Sequence, residues 1–115
     1  MHENVRTVLA EYIAAGMDPQ TATIDVQSDV PQVTELSLLL SMHAYVGELE
    51  RTASFKDKVR KNPSNVNAGL LTYPVLMAAD ILIHRASHVP VGKEQEQHLE
   101  LTRVFALRFN NMYGV

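Results

Sequence analysis

The longest apolar run of this chain, Leu70-Leu-Thr-Tyr-Pro-Val-Leu-Met-Ala-Ala-Asp-Ile-Leu-Ile83, is interrupted by one acid, and that acid limits what the run can become. It is too short and too broken to span a bilayer, so its apolar surface has to be covered by protein or by a ligand. Read as a helix, it puts Tyr73, Met77 and Asp80 at i, i+4 and i+7, on one face. That face offers an aromatic ring, a soft thioether and a single carboxylate. A carboxylate in an apolar wall is costly unless something donates a hydrogen bond to it. A ligand that is mostly hydrocarbon with one N–H to give, as an indole is, meets that need. The plainer reading of the same residues is an ordinary partly exposed acid at Asp80 and core packing at Tyr73 and Met77.

The next segment supplies a second half. Val89-Pro-Val-Gly92 reads as a short buried strand ending in a glycine turn, and Lys93 onward reads as the polar start of a long helix. A glycine there lets backbone approach a ligand closely, and Glu94 and Gln95 can reach ribose hydroxyls or other polar ligand groups. The helix dipole alone also accounts for acids at Glu94, Glu96 and Glu100.

Elsewhere the pattern alternates between helices and short strands. Val5, Val8, Leu9, Tyr12 and Ile13 form one apolar helix face, stopped at Gly16. Thr21 to Gln27 is rich in β-branched residues and reads as a strand. A well-buried helix is expected from Pro31 to about Ala44, broken by Gly47, and a more polar one from Glu48 to about Val59. Lys61-Asn-Pro-Ser-Asn65 is a loop, and a last helix carries Leu101, Phe105, Phe109 and Met112 on one stripe. The expected fold class is α/β, a partial Rossmann-like domain with helices around a short parallel sheet, and nothing marks an internal boundary in 1–115.

Composition narrows the function classes. The chain has 115 residues, 46% of them hydrophobic, enough for a real core. It has no cysteine, which removes disulfides and thiolate metal sites. His84 and His88 are four apart, but a helix end is expected between them and no acids or thiolates complete a set, so no metal site is assigned. A net charge of −3 argues against a nucleic-acid-binding module. No targeting segment or membrane span is read, and the cytoplasm is the expected location.

Several separated strings, in order, carry a family resemblance over the whole chain: Val26-Gln-Ser-Asp-Val-Pro, Gly47-Glu-Leu-Glu-Arg, Phe55-Lys-Asp-Lys, Gly69-Leu-Leu-Thr-Tyr-Pro-Val-Leu-Met-Ala-Ala-Asp-Ile-Leu, Val89-Pro-Val-Gly, Gln97-His-Leu-Glu-Leu-Thr-Arg and Arg108-Phe-Asn-Asn-Met-Tyr-Gly. Together they resemble bacterial tryptophanyl-tRNA synthetases, class I enzymes. The resemblance implies that Tyr73, Met77 and Asp80 line a tryptophan pocket, with Asp80 taking the indole N–H. It implies that Val89 and Val91 complete the apolar wall, with Gln95 beside the amino acid. Gly92, Glu94 and Gln95 would flank the adenosine, and Lys58 would help hold the phosphates of ATP, which comes with Mg2+ as a substrate complex. A tyrosyl-type relative would carry glutamine at the position of Met77, because a phenol needs both a donor and an acceptor. Two departures stand out: Gly92-Lys-Glu-Gln95 where many relatives have Gly-Glu-Asp-Gln, and Ser54 where they often have glutamine.

The chain also lacks the family's His-Ile-Gly-His-like motif, its Lys-Met-Ser-Lys-Ser-like loop and its C-terminal helical domain. It reads as a central fragment of the catalytic domain, expected to be inactive alone, with no catalytic residue assigned. Three readings follow. The chain is part of a tryptophan–tRNA ligase that forms a homodimer and meets tRNA mainly elsewhere, or an inactive paralogue that binds tryptophan or an adenylate, or a fragment serving a dimer interface.

Overall fold

The computed structural model describes residues 2–114, the side chain of His2 excepted. It forms two compact units that part between Val30 and Pro31.

In the first unit, α1 (His2–Ala14) carries the expected apolar face. Gly16, at φ +105°, closes the helix: its N–H donates to the Ile13 carbonyl at 3.0 Å and that of Met17 to Tyr12 at 3.1 Å. Only glycine adopts this conformation without strain. The segment expected to be a strand, Thr21 to Gln27, leads instead into a short 3-10 turn at Gln27–Asp29. Its end is extended, with Val26 at φ −94° and ψ 126°, yet no strand is formed among the described residues. A strand exists only where a neighbour completes its ladder, whatever the local propensity. Val5, Val8, Leu9 and Tyr12 of α1 and Ile24 and Val26 of this segment line a groove of about 750 Å³.

The second unit is built on α5 (Ala68–Ile83), with α2 (Gln32–Ser41) and α6 (Glu96–Tyr113) packed against it. Pro74 lies inside α5 and is fully buried; it removes the N–H that would bond to the carbonyl of Leu70. Pro74, Val75, Ala78 and Ala79 form the buried face, and the small Ala78 and Ala79 let neighbouring helices come close. At 3.6 residues per turn, Tyr73, Met77 and Asp80 point roughly 160° away from that face. All three are half-buried rather than core. Asn67 caps the start of α5, its Oδ1 accepting from Leu70 N at 3.0 Å. At the other end Arg85 adopts φ +50°, with Arg85 N bonded to Leu82 O at 3.1 Å and Ala86 N to Ile81 O at 3.3 Å. This is the glycine closure of α1 repeated with a bulky residue.

Helix boundaries depart from expectation between residues 41 and 61. The helix expected to reach Ala44 ends at Ser41, and Gly47 does not break it but lies inside α3 (Val46–Glu50). The helix expected from Glu48 to Val59 is two helices, α3 and α4 (Ala53–Lys61). Thr52 makes the break: fully buried, it accepts from Phe55 N at 3.4 Å and donates to Leu49 O at 2.8 Å. A side chain that caps the next helix while tied to the previous one ends both registers. Arg108 then clamps α3 to α6. Its guanidinium bonds to both Glu48 oxygens at 2.8 and 3.1 Å and to the carbonyl of His43, and it lies 4.3 Å from the Tyr45 ring centroid.

Val89 to Gly92, expected as a strand with a glycine turn, forms no strand among the described residues, and Gly92 is extended at φ −69° and ψ 160°. Any residue can take that conformation; what the glycine provides is room, because a Cβ would meet the Glu94 carboxylate folded back upon it. Residues Lys93–Gln95 form a 3-10 turn before α6 begins. No helix among the described residues is long and apolar enough to cross a membrane.

Candidate functional site

Tyr73 is the centre of a polar cluster assembled from three helices. Its hydroxyl lies 2.8 Å from Ser54 Oγ on α4 and 2.8 Å from His98 Nε2 on α6, and those two atoms are 3.2 Å apart. The Tyr73 and His98 rings meet edge to face at 5.1 Å between centroids. Lys58, one turn beyond Ser54 on α4, rests its ammonium 3.8 Å from the centre of the Tyr73 ring. A cation on an aromatic face is worth about 0.5–2 kcal/mol, depending on how far it is desolvated. The start of α6 is held to α4 by Gln97, whose Oε1 accepts from Ala53 N at 3.0 Å.

His98 is completely buried. Burial, reinforced by the nearby Lys58 charge, pushes its imidazole below the ordinary histidine pKa, so the ring is neutral at pH 7. Its Nδ1 is buried with no hydrogen-bond partner among the described residues. A buried unsatisfied polar atom costs about 1–3 kcal/mol.

Two hollows border Tyr73. One of about 450 Å³ is lined by Lys58, Lys61, Asn62, Asn65 and Asn67, and its two lysines suit it to an anion. The other, about 220 Å³, is lined by Thr34, Ser37, Thr72 and Leu76. Gly69 borders both.

Of the residues expected from sequence, Lys58 and Tyr73 are brought into direct contact. Met77 and Asp80 continue the same face of α5. Neither hollow takes lining from Met77, Asp80, Val89, Val91, Gly92, Glu94 or Gln95. Val89, Val91 and Gln95 are half-buried, while Gly92 and Glu94 are exposed. Within this segment Gln95 N donates to Gly92 O at 2.9 Å. His98 and Ser54 were not assigned to the site from sequence. A signal for His98 exists, since His98, Thr102 and Phe105 are spaced i, i+4 and i+7 and are the buried residues of α6.

Residues 1–114 match the family model for class I tRNA synthetases of the W and Y type. The chain belongs to this family. Among relatives of these synthetases, a tryptophan–tRNA ligase of Porphyromonas gingivalis is 70% identical over 112 residues, covering 97% of this chain and 34% of the relative. One from Fusobacterium nucleatum is 56% identical over 116 residues, covering 100% of this chain and 35% of the relative. Among solved structures, the tryptophanyl-tRNA synthetase of Campylobacter jejuni complexed with ADP and tryptophan superimposes with a TM-score of 0.84. It is 48% identical, over 90% of this chain and 32% of that one. That of Mycoplasma pneumoniae gives 0.84 at 42% identity, with the same coverage. The chain therefore spans about a third of the length of these synthetases.

Proposed function

We propose that the complete subunit carrying this chain is a tryptophan–tRNA ligase, which activates tryptophan with ATP and transfers it to tRNA. The observation that carries this reading is the α5 face of Tyr73, Met77 and Asp80, turned away from the core and half-buried in an otherwise apolar helix. An indole has a donor and no acceptor. Asp80 offers an acceptor, Met77 is polarisable and apolar, and a phenol would leave its acceptor unmet against that thioether. The names of the relatives support the reading, as does the ligand pair held by the Campylobacter jejuni enzyme.

In this scheme Val89 and Val91 close the apolar wall and Gln95 reaches the polar end of the amino acid. Lys58, with the hollow beside it, faces the phosphates of ATP, and Gly92 and Glu94 flank the adenosine. Mg2+ enters with the nucleotide. Segments 23–26 and 89–92, which lie outside the helices, would each need a neighbouring strand from the rest of a Rossmann-like domain to enter a parallel sheet. Residues 1–115 are then the central fragment of that catalytic domain, and the groups that stabilise the reacting phosphorus belong to other parts of the subunit. Exposed Leu38, Met42, Leu107 and Met112 favour a homodimer, and the cytoplasm is the setting.

The test is ATP–pyrophosphate exchange by the complete subunit with tryptophan or tyrosine as the amino acid. Exchange driven by tryptophan at least about 100-fold better than by tyrosine is expected. Exchange driven equally or better by tyrosine would reject the assignment.

A further inference from the structure

Tyr73 has one hydroxyl proton, and where it goes decides what the phenol oxygen can do for a ligand. The cluster of Tyr73 Oη, Ser54 Oγ and His98 Nε2 has all three atoms within 3.2 Å of one another. Two hydroxyl protons must be placed there. If Nε2 is bare, Tyr73 donates to Ser54 and Ser54 donates to Nε2, so both protons stay inside the triangle and the Tyr73 oxygen accepts from neither. If Nε2 carries hydrogen, it occupies one oxygen and drives a hydroxyl proton out of the cluster. In either case Nδ1 has no partner among the described residues. A position needed only for packing would be filled without that orphan by an apolar side chain, as Phe105 fills the next part of the same buried stripe.

We propose that His98 is a positioning residue for the amino-acid site: its bare Nε2 is the acceptor that keeps the Tyr73 hydroxyl proton inside the cluster and leaves the phenol oxygen as an acceptor toward a ligand. The inference rests on the reading of Tyr73 as part of a tryptophan site. The ammonium group of a free amino acid is donor-only, so it pairs with a phenol oxygen whose own proton is already spent. Ser54, small and hydroxylic, completes the relay from the side of α4.

The experiment compares His98→Leu, His98→Gln, Tyr73→Phe and the Leu/Phe double variant in the complete subunit by tryptophan-dependent ATP–pyrophosphate exchange. His98→Leu should raise KM for tryptophan by about tenfold or more. KM for ATP should stay within about twofold, and the double variant should be no worse than Tyr73→Phe. His98→Gln, which keeps an acceptor near the Nε2 position, should recover most of the loss. Equal rises in both KM values, or a Gln variant as poor as the Leu variant, would overturn the proposal. Nitrogen-15 NMR of the unmodified subunit is the second measurement, needed if His98→Leu fails to fold. It should find Nε2 unprotonated, and a protonated Nε2 overturns the proposal. A parent without tryptophan-dependent exchange defeats the ligase reading itself. An active parent with indifferent His98 variants defeats this inference alone.

Discussion

Replacing Arg108 by Met should cost much more stability than its surface position suggests. Two of its guanidinium nitrogens bond to the Glu48 carboxylate, at 2.8 and 3.1 Å, one of them also bonds to the His43 carbonyl, and the plane covers Tyr45. The Arg108 and Glu48 side chains are 21% and 23% exposed, between the surface and buried limits. Exposed pairs contribute about 0–1 kcal/mol, and removing one partner of a buried pair costs about 3–5 kcal/mol. With the methionine stem still covering Tyr45, an intermediate loss of about 2–3 kcal/mol is expected. Arg103→Met is the control, because the Arg103–Glu100 pair is 68% and 71% exposed and should contribute less than about 0.5 kcal/mol.

The same clamp fixes a pH dependence. The hydrogen bond from Arg108 is the main cause that holds Glu48 below its ordinary pKa, with a smaller contribution from the Tyr45 N–H. A carboxylate whose folded pKa is depressed adds stability that is complete above its unfolded value and is lost as pH falls through the folded one. The difference between parent and Arg108→Met should therefore be constant at neutral pH and shrink as pH drops below about 4.5. Urea unfolding read at α3 and α6, by hydrogen exchange of their amides, measures both quantities. Equal losses for the Arg108 and Arg103 variants, or a difference that does not shrink in acid, would refute the reasoning.

Two further substitutions probe local geometry. Arg85→Gly should raise the unfolding midpoint, because φ +50° costs an L-residue about 1–2 kcal/mol and glycine returns about 0.5–1 kcal/mol of that as unfolded-state entropy. A fall in the midpoint would show that the Arg85 side chain contributes more than its backbone costs. Thr52→Ala should lose about 1–2 kcal/mol by removing the cap of α4, with exchange protection falling first at Phe55 N; unchanged protection there would count against the cap.

What the sequence reveals and what it hides divide along a physical line. The α5 face could be read directly, because i, i+4 and i+7 spacing is enough to align Tyr73, Met77 and Asp80. The stop at Gly16 was legible for the same reason, since its positive φ follows from local chemistry. The break at Thr52 was missed because Thr52 caps only if the chain has already turned there, and Gly47 looked like the stronger breaker. The strands expected at 21–27 and 89–92 are not formed among the described residues, because a ladder needs neighbours that propensity does not contain. His98 stood in a recognised motif, yet its meaning requires Ser54, 44 residues earlier, to arrive beside it. Only tertiary packing supplies that meeting.

The central claim is that the α5 face chooses the amino acid, and Asp80→Ala in the complete subunit tests it most directly. If Asp80 accepts the indole N–H, the loss of a charged hydrogen bond of about 1.5–3 kcal/mol should raise KM for tryptophan roughly 10- to 100-fold. KM for ATP should hardly move. Equal tryptophan activation by variant and parent would contradict the account.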